Sequence, residues 1–340
     1  AIIMQKVTLG KICSCLGLLC CSALLVLYGL YRSGEATLRR LQVRANGQAT
    51  PPLVFHDDTY VYNDALLNFL CLGIDTRGTL RKETDFSRWD AGQADAIYLL
   101  SLNAASHALN VVVLPRNTMV DLELYGEDGG VYATMHNQLC LQYGYAGGGD
   151  FALFKMKEKV SALLCGIPIH GCAALSLPGV TVAVDAIGGV DVTIPADMTE
   201  YNPNLLKGMR VRMDGKAAYS YLHYRDTRVL GSPLTRLDRQ KSFLLDLVGQ
   251  LKEKPVQTLS HVRELYHGLS PYMSIDISGE ALLYLAGEAL QCELGDASFF
   301  RPEGESVRAA NQSGKTFDDF YADPDSLKEI AAKVFFLPAR

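Results

Sequence analysis

The chain has 340 residues, which is enough for one large domain or two ordinary ones. Hydrophobic residues make up 49% of it and charged residues 20%, a balance typical of a globular protein with a buried core. The formal net charge of −5 argues against nonspecific nucleic-acid binding, which needs a basic face, so we expect no nucleic-acid partner.

The N-terminal segment predicts a membrane anchor. Residues 12–31 (ICSCLGLLCCSALLVLYGLY) carry no charge, and a helix of this length crosses the roughly 30 Å of bilayer hydrocarbon. The run is longer than a usual signal-peptide core, and no clear cleavage site follows it. We therefore predict one retained transmembrane helix after a short tail at 1–11. Counted on the flanking charges alone, the arginine-rich C-terminal side would face the cytoplasm.

After the anchor, residues 32–60 are predicted to be a linker and residues 61–340 the folded domain. The stretch RANGQATPPL (44–53) combines glycine, proline and polar residues, as linkers do. Of the nine cysteines, four lie in the apolar segment, and the other five are scattered without metal-type spacing. We expect no disulfide framework, and only the pair Cys165–Cys172 stays open.

Short apolar runs open the domain and predict buried strands. They have the length of strands and are rich in aliphatic and β-branched residues. The runs are 66–74 (LLNFLCLGI), 96–102 (AIYLLSL) and 109–115 (LNVVVLP), and a later one, VDVTIP, spans 190–195. Continuously apolar strands of this kind are covered on both faces.

Helical patterns alternate with these strands. Asp150 is predicted to cap a helix over 151–164, Pro178 to start one that ends at the glycines 188–189, and Asp214 to cap a short one. An amphipathic helix is predicted from Arg236 to Leu251, and a last one begins at Asp323–Pro324. The alternation predicts an α/β domain with a central mixed or parallel sheet flanked by helices.

Charged side chains stand at the ends of the predicted strands. Asp75 and Arg77 follow the first strand, Asp95 precedes the second, and Arg116 follows the third. Ligands of α/β sheets bind at such strand ends. Asp75 and Asp95 could together hold Mg²⁺, which takes one or two carboxylates plus phosphate oxygens. The alternative for each residue alone is an ordinary solvated turn.

A cluster of arginines follows later in the chain, within YLHYRDTRVLGSPLTRLDRQ (221–240). Guanidinium groups match phosphate oxygens, and the start of a helix adds partial positive charge. The alternative is salt bridging with Asp226 and Asp238. Arginines combined with two carboxylates suit phosphoryl transfer, which depends on positioning and charge neutralisation. The cluster consists of Arg225, Arg228, Arg236 and Arg239, with Gln240 beside them.

In their order and spacing, these motifs resemble the LytR–CpsA–Psr proteins of Gram-positive bacteria. The resemblance covers about 67–243 and includes LGIDTR (72–77), QADAIYLLSLN (93–103), LPRNTMVDL (114–122), HNQLCLQYGYAGG (136–148), GIPIH (166–170), VDAIGGVDVTIP (184–195), DGKAAYSYLHYR (214–225) and RLDRQ (236–240).

This resemblance implies a membrane-anchored enzyme whose domain lies outside the cell, with a mixed sheet between helices and an apolar pocket for a prenyl chain. The implied reaction moves an anionic glycopolymer, such as teichoic acid or capsular polysaccharide, from a polyprenyl-pyrophosphate carrier to peptidoglycan. Membrane lipid is the further implied partner, Mg²⁺ the implied cofactor with Mn²⁺ as a substitute, and pyrophosphatase activity a side reaction.

The resemblance also assigns roles to individual residues. It places the metal on Asp75 and Asp95, and it makes Asp75, Arg225 and Arg239 catalytic. The implied pyrophosphate-binding residues are Arg77, Arg116, Arg225, Arg236, Arg239 and Gln240. Arginine cannot accept the acceptor's proton, which leaves Asp75 or Asp95 as the base.

Three positions depart from the family pattern, since Gln93 and His223 replace arginines and Asn117 replaces an aspartate. Each change removes a charge, so an altered donor preference is expected. Two other functions stay open: a non-catalytic binder of lipid-linked glycans, which the departures favour, and a membrane-bound transcriptional regulator. The acidic domain and the anchor argue against direct DNA contact.

Overall fold

A six-stranded mixed sheet forms the centre of the fold in a computed structural model of the chain. The structure describes residues 29–44, 50–80, 82–87, 90–224, 232–253, 265, 267–310 and 316–339. Its strands are β3 (Leu67–Ile74), β4 (Ala94–Asn103), β5 (Ala108–Leu114), β8 (Gly171–Ser176), β11 (Met273–Ile275) and β12 (Phe299–Phe300). They lie in the order β11-β8-β3-β4-β5-β12, in which β3 pairs parallel with β8 and antiparallel with β4.

The three apolar runs predicted as strands are β3, β4 and β5, so these predictions are confirmed. The reason is visible in β3, where successive side chains point to opposite faces. Leu70 and Leu72 belong to the cluster of buried residues on one face, whereas Leu67 and Phe69 belong to the cluster on the other. Both faces are therefore covered, as the continuous apolar sequence indicated.

Helices cover the two faces. On the Leu70 face lie α3 (Gly149–Leu163) and α8 (Pro324–Phe335), and on the Phe69 face lie α1 (29–44) and α7 (Gly279–Gln291). Further helices, α2 (Gln142–Tyr145), α4 (Leu177–Ala186), α5 (Gly215–His223) and α6 (Ser232–Lys252), complete the domain. The predicted class, a mixed sheet flanked by helices, is confirmed.

Smaller sheets of two or three strands surround the central sheet. They are β1 (Leu53–Phe55) with β2 (Asp58–Tyr62) and β15 (Phe336–Pro338), β6 (Met119–Tyr125) with β7 (Val131–Gln138), β9 (Val190–Thr193) with β10 (Arg210–Met213), and β13 (Gly304–Ala310) with β14 (Thr316–Ala322). The predicted strand at 190–195 is thus confirmed as β9.

The helix caps were predicted with mixed success. The Asp214 carboxylate accepts a hydrogen bond from the backbone N–H of Ala217 at 2.8 Å, as predicted. Asp150, however, lies inside the first turn of α3 and does not cap it. Gly147 and Gly149 have positive φ, and a Cβ on Gly147 would lie 2.6 Å from the carbonyl oxygen of Asp85. These glycines allow a tight approach to 82–85 and start the helix early.

The range predicted as a linker, 32–60, contains most of α1 and the strands β1 and β2. Leu38 is 1% exposed and packs with Ala281 and Tyr284 of α7. Gly34 allows this contact, because a Cβ there would lie 1.9 Å from the carbonyl oxygen of Glu280. The Tyr31 hydroxyl also donates a hydrogen bond to the Glu288 carboxylate. The stretch after the apolar run is therefore packed on the domain, apart from 45–49, which lies outside the described residues.

The predicted transmembrane helix falls almost entirely within residues 1–28, outside the described ranges. Within those ranges, no helix has the length and apolar character needed to span a bilayer. The five cysteines at 71, 140, 165, 172 and 292 are free thiols, so the pair Cys165–Cys172 is not formed.

One buried histidine should make stability depend on pH. His170 accepts a hydrogen bond at Nδ1 from the backbone N–H of Asn68 at 2.9 Å, and burial lowers its pKa from 6.5 to about 4. Between these values the unfolded chain binds a proton that the folded chain does not, so stability falls as pH falls through this window. The loss is on the order of 2–3 kcal/mol by pH 4.

Urea unfolding at pH 7.5 and pH 4.5 checks this expectation. His170→Gln removes the titrating group and should shrink the difference between the two pH values. The control is His267→Gln, at an exposed position, which should keep the full difference. Equal pH dependence in wild type and His170→Gln would assign the acid loss to other groups.

Candidate functional site

The antiparallel pairing of β3, β4 and β5 gathers three charged residues at one edge of the sheet. Asp75 follows the end of β3, and Asp95 lies at the start of β4, where Ile74 pairs with Ala94. Arg116 comes two residues after β5, whose last residue, Leu114, pairs with Ile97. The predicted meeting of these strand ends is therefore found in the structure.

Asp95 is the centre of the site. Arg116 donates through Nη1 to Asp95 Oδ1, and Arg236 approaches Asp95 Oδ2 with Nη1 at 3.3 Å. Arg236 also donates through Nη2 to the Asp95 carbonyl oxygen at 3.1 Å. Asp95 is 7% exposed and Arg236 is 4% exposed. A buried charge needs a partner, and among the described residues the Asp95 carboxylate is shared by two guanidinium groups.

Arg239 adds a further buried cation, at 8% exposure. Its guanidinium carbon lies 5.6 Å from the ring centroids of both Tyr221 and Tyr224, and Nη2 donates to the Tyr224 carbonyl oxygen. Its Nε is buried and has no hydrogen-bond partner among the described residues. Burial lowers the pKa of Arg239, and nearby Arg236 acts in the same direction. Arginine nevertheless stays protonated, so Arg239 remains a buried cation with one donor that has no partner among the described residues.

The sequence of α6 explains how these arginines reach the sheet edge. Arg236 and Arg239 are three residues apart and share one face of the helix. Leu237 packs on Val111 and Val113 and seats the helix on the sheet. Gln240 Oε1 accepts a hydrogen bond from the Tyr98 hydroxyl at 2.8 Å, which fixes the amide beside the cluster. The structure thus brings together Asp95, Arg116, Arg236 and Gln240, as predicted.

Other predicted site residues are exposed or lie outside the described residues. Arg77 is exposed in the loop after β3, and Asp75, at the same edge as Asp95, is exposed as well. Arg225 and Arg228 lie outside the described residues, so their predicted roles stay predictions.

The three departures from the family pattern have different structural roles. Gln93 Oε1 accepts a hydrogen bond from Arg116 Nη2 at 2.9 Å and so orients that guanidinium. Asn117 is buried, and its Nδ2 donates to the Asp318 carbonyl oxygen at 2.6 Å, which holds β14 in place. His223 is exposed and stacks on Tyr219 with ring centroids 5.6 Å apart. Sequence reasoning treated all three only as lost charges.

Sequence reasoning also missed Tyr98 and the two tyrosines beside Arg239. Tyr98 lies in an apolar strand run, where its spacing is that of any core residue. The one available signal was its hydroxyl, since a buried tyrosine hydroxyl usually has a hydrogen-bond partner.

A metal ion of the Mg²⁺ type fits the donor chemistry at Asp75. This carboxylate lines a cavity of about 190 Å³ together with Asp90, Gln93 and Tyr145. Mg²⁺ takes one or two carboxylates and completes its shell with water and phosphate oxygens. Each Asp95 oxygen already contacts an arginine, so the two guanidinium groups compete with a cation for Asp95. The described residues contain no cluster of three or more histidine, cysteine or acidic side chains for a cation.

Arg116 keeps its charge in this environment. Burial acts to lower its pKa, but electrostatic interactions with Cys140, Asp95 and Asp75 outweigh that effect and raise the pKa overall. The site is therefore a preorganised cationic surface next to exposed Asp75, suited to polarising and holding phosphate oxygens.

A sequence model of the LytR_cpsA_psr family matches residues 37–327. The chain belongs to the LytR–CpsA–Psr family. One relative is the polyisoprenyl-teichoic acid–peptidoglycan teichoic acid transferase TagU of Enterococcus faecalis, 24% identical over 75% of this chain and 78% of that protein. A second is the TagU of Bacillus cereus strain AH820, 24% identical over 65% of this chain and 64% of that protein, which is just under two thirds of its length.

Solved LytR–CpsA–Psr structures share the fold. The structure described as TagT bound to LI-WTA superposes with a TM-score of 0.58 at 17% identity and covers 79% of this chain and 89% of that one. This likeness supports the mixed sheet and its helices, and the family membership predicted from the ordered motifs is confirmed.

The site geometry predicts a specific loss on substitution of Arg239. Arg239→Lys should bind inorganic pyrophosphate about tenfold or more weakly, because lysine lacks the second nitrogen of the fork and charge-assisted bonds are worth roughly 1.5–3 kcal/mol. Isothermal titration calorimetry measures the affinity. The control is Arg301→Lys, since Arg301 is exposed and pairs with Asp238 at 3.1 Å. Equal affinity in both variants and the wild type would remove Arg239 from the site.

Proposed function

We propose that this protein transfers an anionic glycopolymer, of the teichoic acid or capsular polysaccharide type, from a polyprenyl-pyrophosphate carrier to peptidoglycan. The observation that carries the proposal is the cluster of three arginines at one end of the sheet, in which Arg116 and Arg236 both contact the Asp95 carboxylate and Arg239 has no carboxylate partner among the described residues. The TagU relatives, named as teichoic acid transferases, support this substrate class.

The arginines bind and polarise the pyrophosphate in this proposal. Its oxygens compete with Asp95 for Arg116 and Arg236, and they meet the unused Nε of Arg239. Since the guanidinium groups are already buried and held in place, little reorganisation is needed when charge develops on the phosphate. A hydrogen bond to Gln93 holds the Arg116 guanidinium in position, and a hydrogen bond from the Tyr98 hydroxyl holds the Gln240 amide.

The chemical step is a substitution at phosphorus. A hydroxyl oxygen of the acceptor forms a bond to the phosphorus that carries the glycopolymer, and the bond from that phosphorus to the bridging oxygen breaks. Polyprenyl phosphate leaves, and a phosphodiester joins polymer and acceptor. The hydroxyl proton passes to a carboxylate, and exposed Asp75 is the residue we assign. Water in place of the acceptor gives the pyrophosphatase side reaction.

Asp75 and Asp95 would hold Mg²⁺, with Mn²⁺ as the substitute. When bound, the ion neutralises phosphate charge. Phosphate binding to Arg116 and Arg236 would free Asp95 for this role, since both arginines contact its carboxylate in the structure described here.

Asp75→Asn tests the carboxylate. Turnover of a synthetic polyprenyl-pyrophosphate-linked saccharide should fall at least about a hundredfold, because general base and metal contributions are both lost. EDTA should reduce the wild-type rate similarly, and added Mg²⁺ should restore the wild type alone. Asp128→Asn is the matched control, because the amide oxygen can keep the 2.9 Å hydrogen bond from Gly130 N–H. Full activity of Asp75→Asn in EDTA would contradict the mechanism, and donor binding without turnover in the wild type would indicate a binding protein.

We also propose that residues 12–31 anchor the protein in the cell membrane as a single pass, with 1–11 in the cytoplasm and the domain outside. The protein should stay in the membrane fraction after alkaline washing, and protease added to intact protoplasts should digest the domain. Replacing residues 12–28 by a polar segment, which leaves Tyr31 and its contact with Glu288 intact, should release the protein. A protected domain in intact protoplasts would reverse the topology and place the site away from peptidoglycan.

A further inference from the structure

A second cavity adjoins the cationic site. It has a volume of about 430 Å³ and lies between the end of β7 and the β13–β14 hairpin. Its lining residues are Gln93, Arg116, Asn137, Gln138, Leu141, Ala309, Ala310, Phe317 and Asp319. Gln93 and Leu141 also line the cavity of Asp75, so the two cavities share these residues, and Arg116 lines the second one. A ligand in the second cavity would therefore lie next to Arg116.

Hydrogen bonds hold the outer wall of this cavity in position. Asn117 accepts at its carbonyl oxygen from Phe320 N–H at 2.9 Å and donates through Nδ2 to the Asp318 carbonyl oxygen at 2.6 Å. Gln138 Nε2 donates to Asp319 Oδ1 at 2.7 Å. The hairpin is thus fastened to the loop that carries Arg116, and the cavity is formed before any ligand binds.

The lining is close to neutral in charge. Among the described lining residues, the ionisable side chains are Arg116 and Asp319, and the two Nη atoms of Arg116 already contact Asp95 and Gln93. A polyanion would find no further cation among these residues and would meet the Asp319 carboxylate. The cavity is therefore unsuited to the phosphate-rich part of a glycopolymer.

The remaining lining suits a hydroxyl-rich ring. Asn137 and Gln138 provide amides, Ala309 and Ala310 leave space, and Phe317 is 37% exposed and provides an aromatic surface. Apolar walls with a few placed polar groups fix the orientation of a small ligand, and sites of this volume fall in the usual range of roughly 300–1,000 Å³.

We infer that this cavity binds a neutral saccharide of the acceptor glycan and delivers its hydroxyl to the phosphate held by Arg116. The inference rests on the proposed function and adds the acceptor subsite to it. The glycopolymer donor also contains sugars, so the experiment must distinguish binding of an acceptor saccharide from binding of a donor saccharide.

Direct binding is tested first, with N,N′-diacetylchitobiose as the probe and the full-length protein in detergent. Saturation-transfer NMR titration should show saturable binding, and Phe317→Ala should weaken it about three- to tenfold. Ala309→Phe, at a partly exposed strand position, should block it by filling the cavity. Tyr321→Ala is the matched control for Phe317→Ala, because Tyr321 is an exposed aromatic residue that lies on β14, like Phe317, but outside this cavity. Unchanged binding in both cavity variants would overturn the inference.

Kinetics then assign the source of the sugar. Phe317→Ala should raise the KM for a soluble peptidoglycan fragment about three- to tenfold and leave the donor KM unchanged. A raised donor KM with an unchanged acceptor KM would overturn the acceptor assignment. The two hypotheses fail separately: absence of turnover with intact chitobiose binding removes the proposed function, whereas turnover with no cavity-dependent binding removes only this subsite.

Discussion

The shared Asp95 carboxylate is the interaction on which the site depends. Arg116 lies in the loop after β5. Arg236 lies in α6, 141 positions after Asp95 in the chain. Burying a guanidinium group is costly without a counter-charge, so Asp95 makes the inward position of both arginines possible. The same contact ties α6 to the edge of the sheet, and it makes two guanidinium groups share one carboxylate.

The cluster of arginines favours an anionic ligand. Interior charges interact more strongly than solvated ones, so an anion that meets Arg116, Arg236 and Arg239 would gain from all three. Asp95 positions the arginines, and in the proposed mechanism the incoming phosphate competes with it for them. Tyr221 and Tyr224 stabilise Arg239 through their rings without neutralising it.

The fold forms the two cavities beside the arginine cluster. Antiparallel β3 and β4 place Asp75 and Asp95 at one edge, and the fastened β13–β14 hairpin forms the wall of a neutral cavity beside Arg116. Gln93 lines both cavities, so a neutral residue lies between the acidic side of the site and the hairpin side. The charged groups of the site and the neutral cavity therefore lie on opposite sides of the Arg116 guanidinium group.

The sequence by itself determined the strands, the family and the line of charged residues at the strand ends, because apolar runs and cap residues are local signals. It also placed Arg236 and Arg239 on one helical face. Only the tertiary structure decided that Arg236 pairs with Asp95, that Gln93 aligns Arg116, and that Asn117 fastens a distant hairpin. It also showed α1 packed on α7, where a linker was predicted, and an early start of α3 at its glycines. These features depend on contacts between residues far apart in the chain, and no local periodicity encodes such contacts.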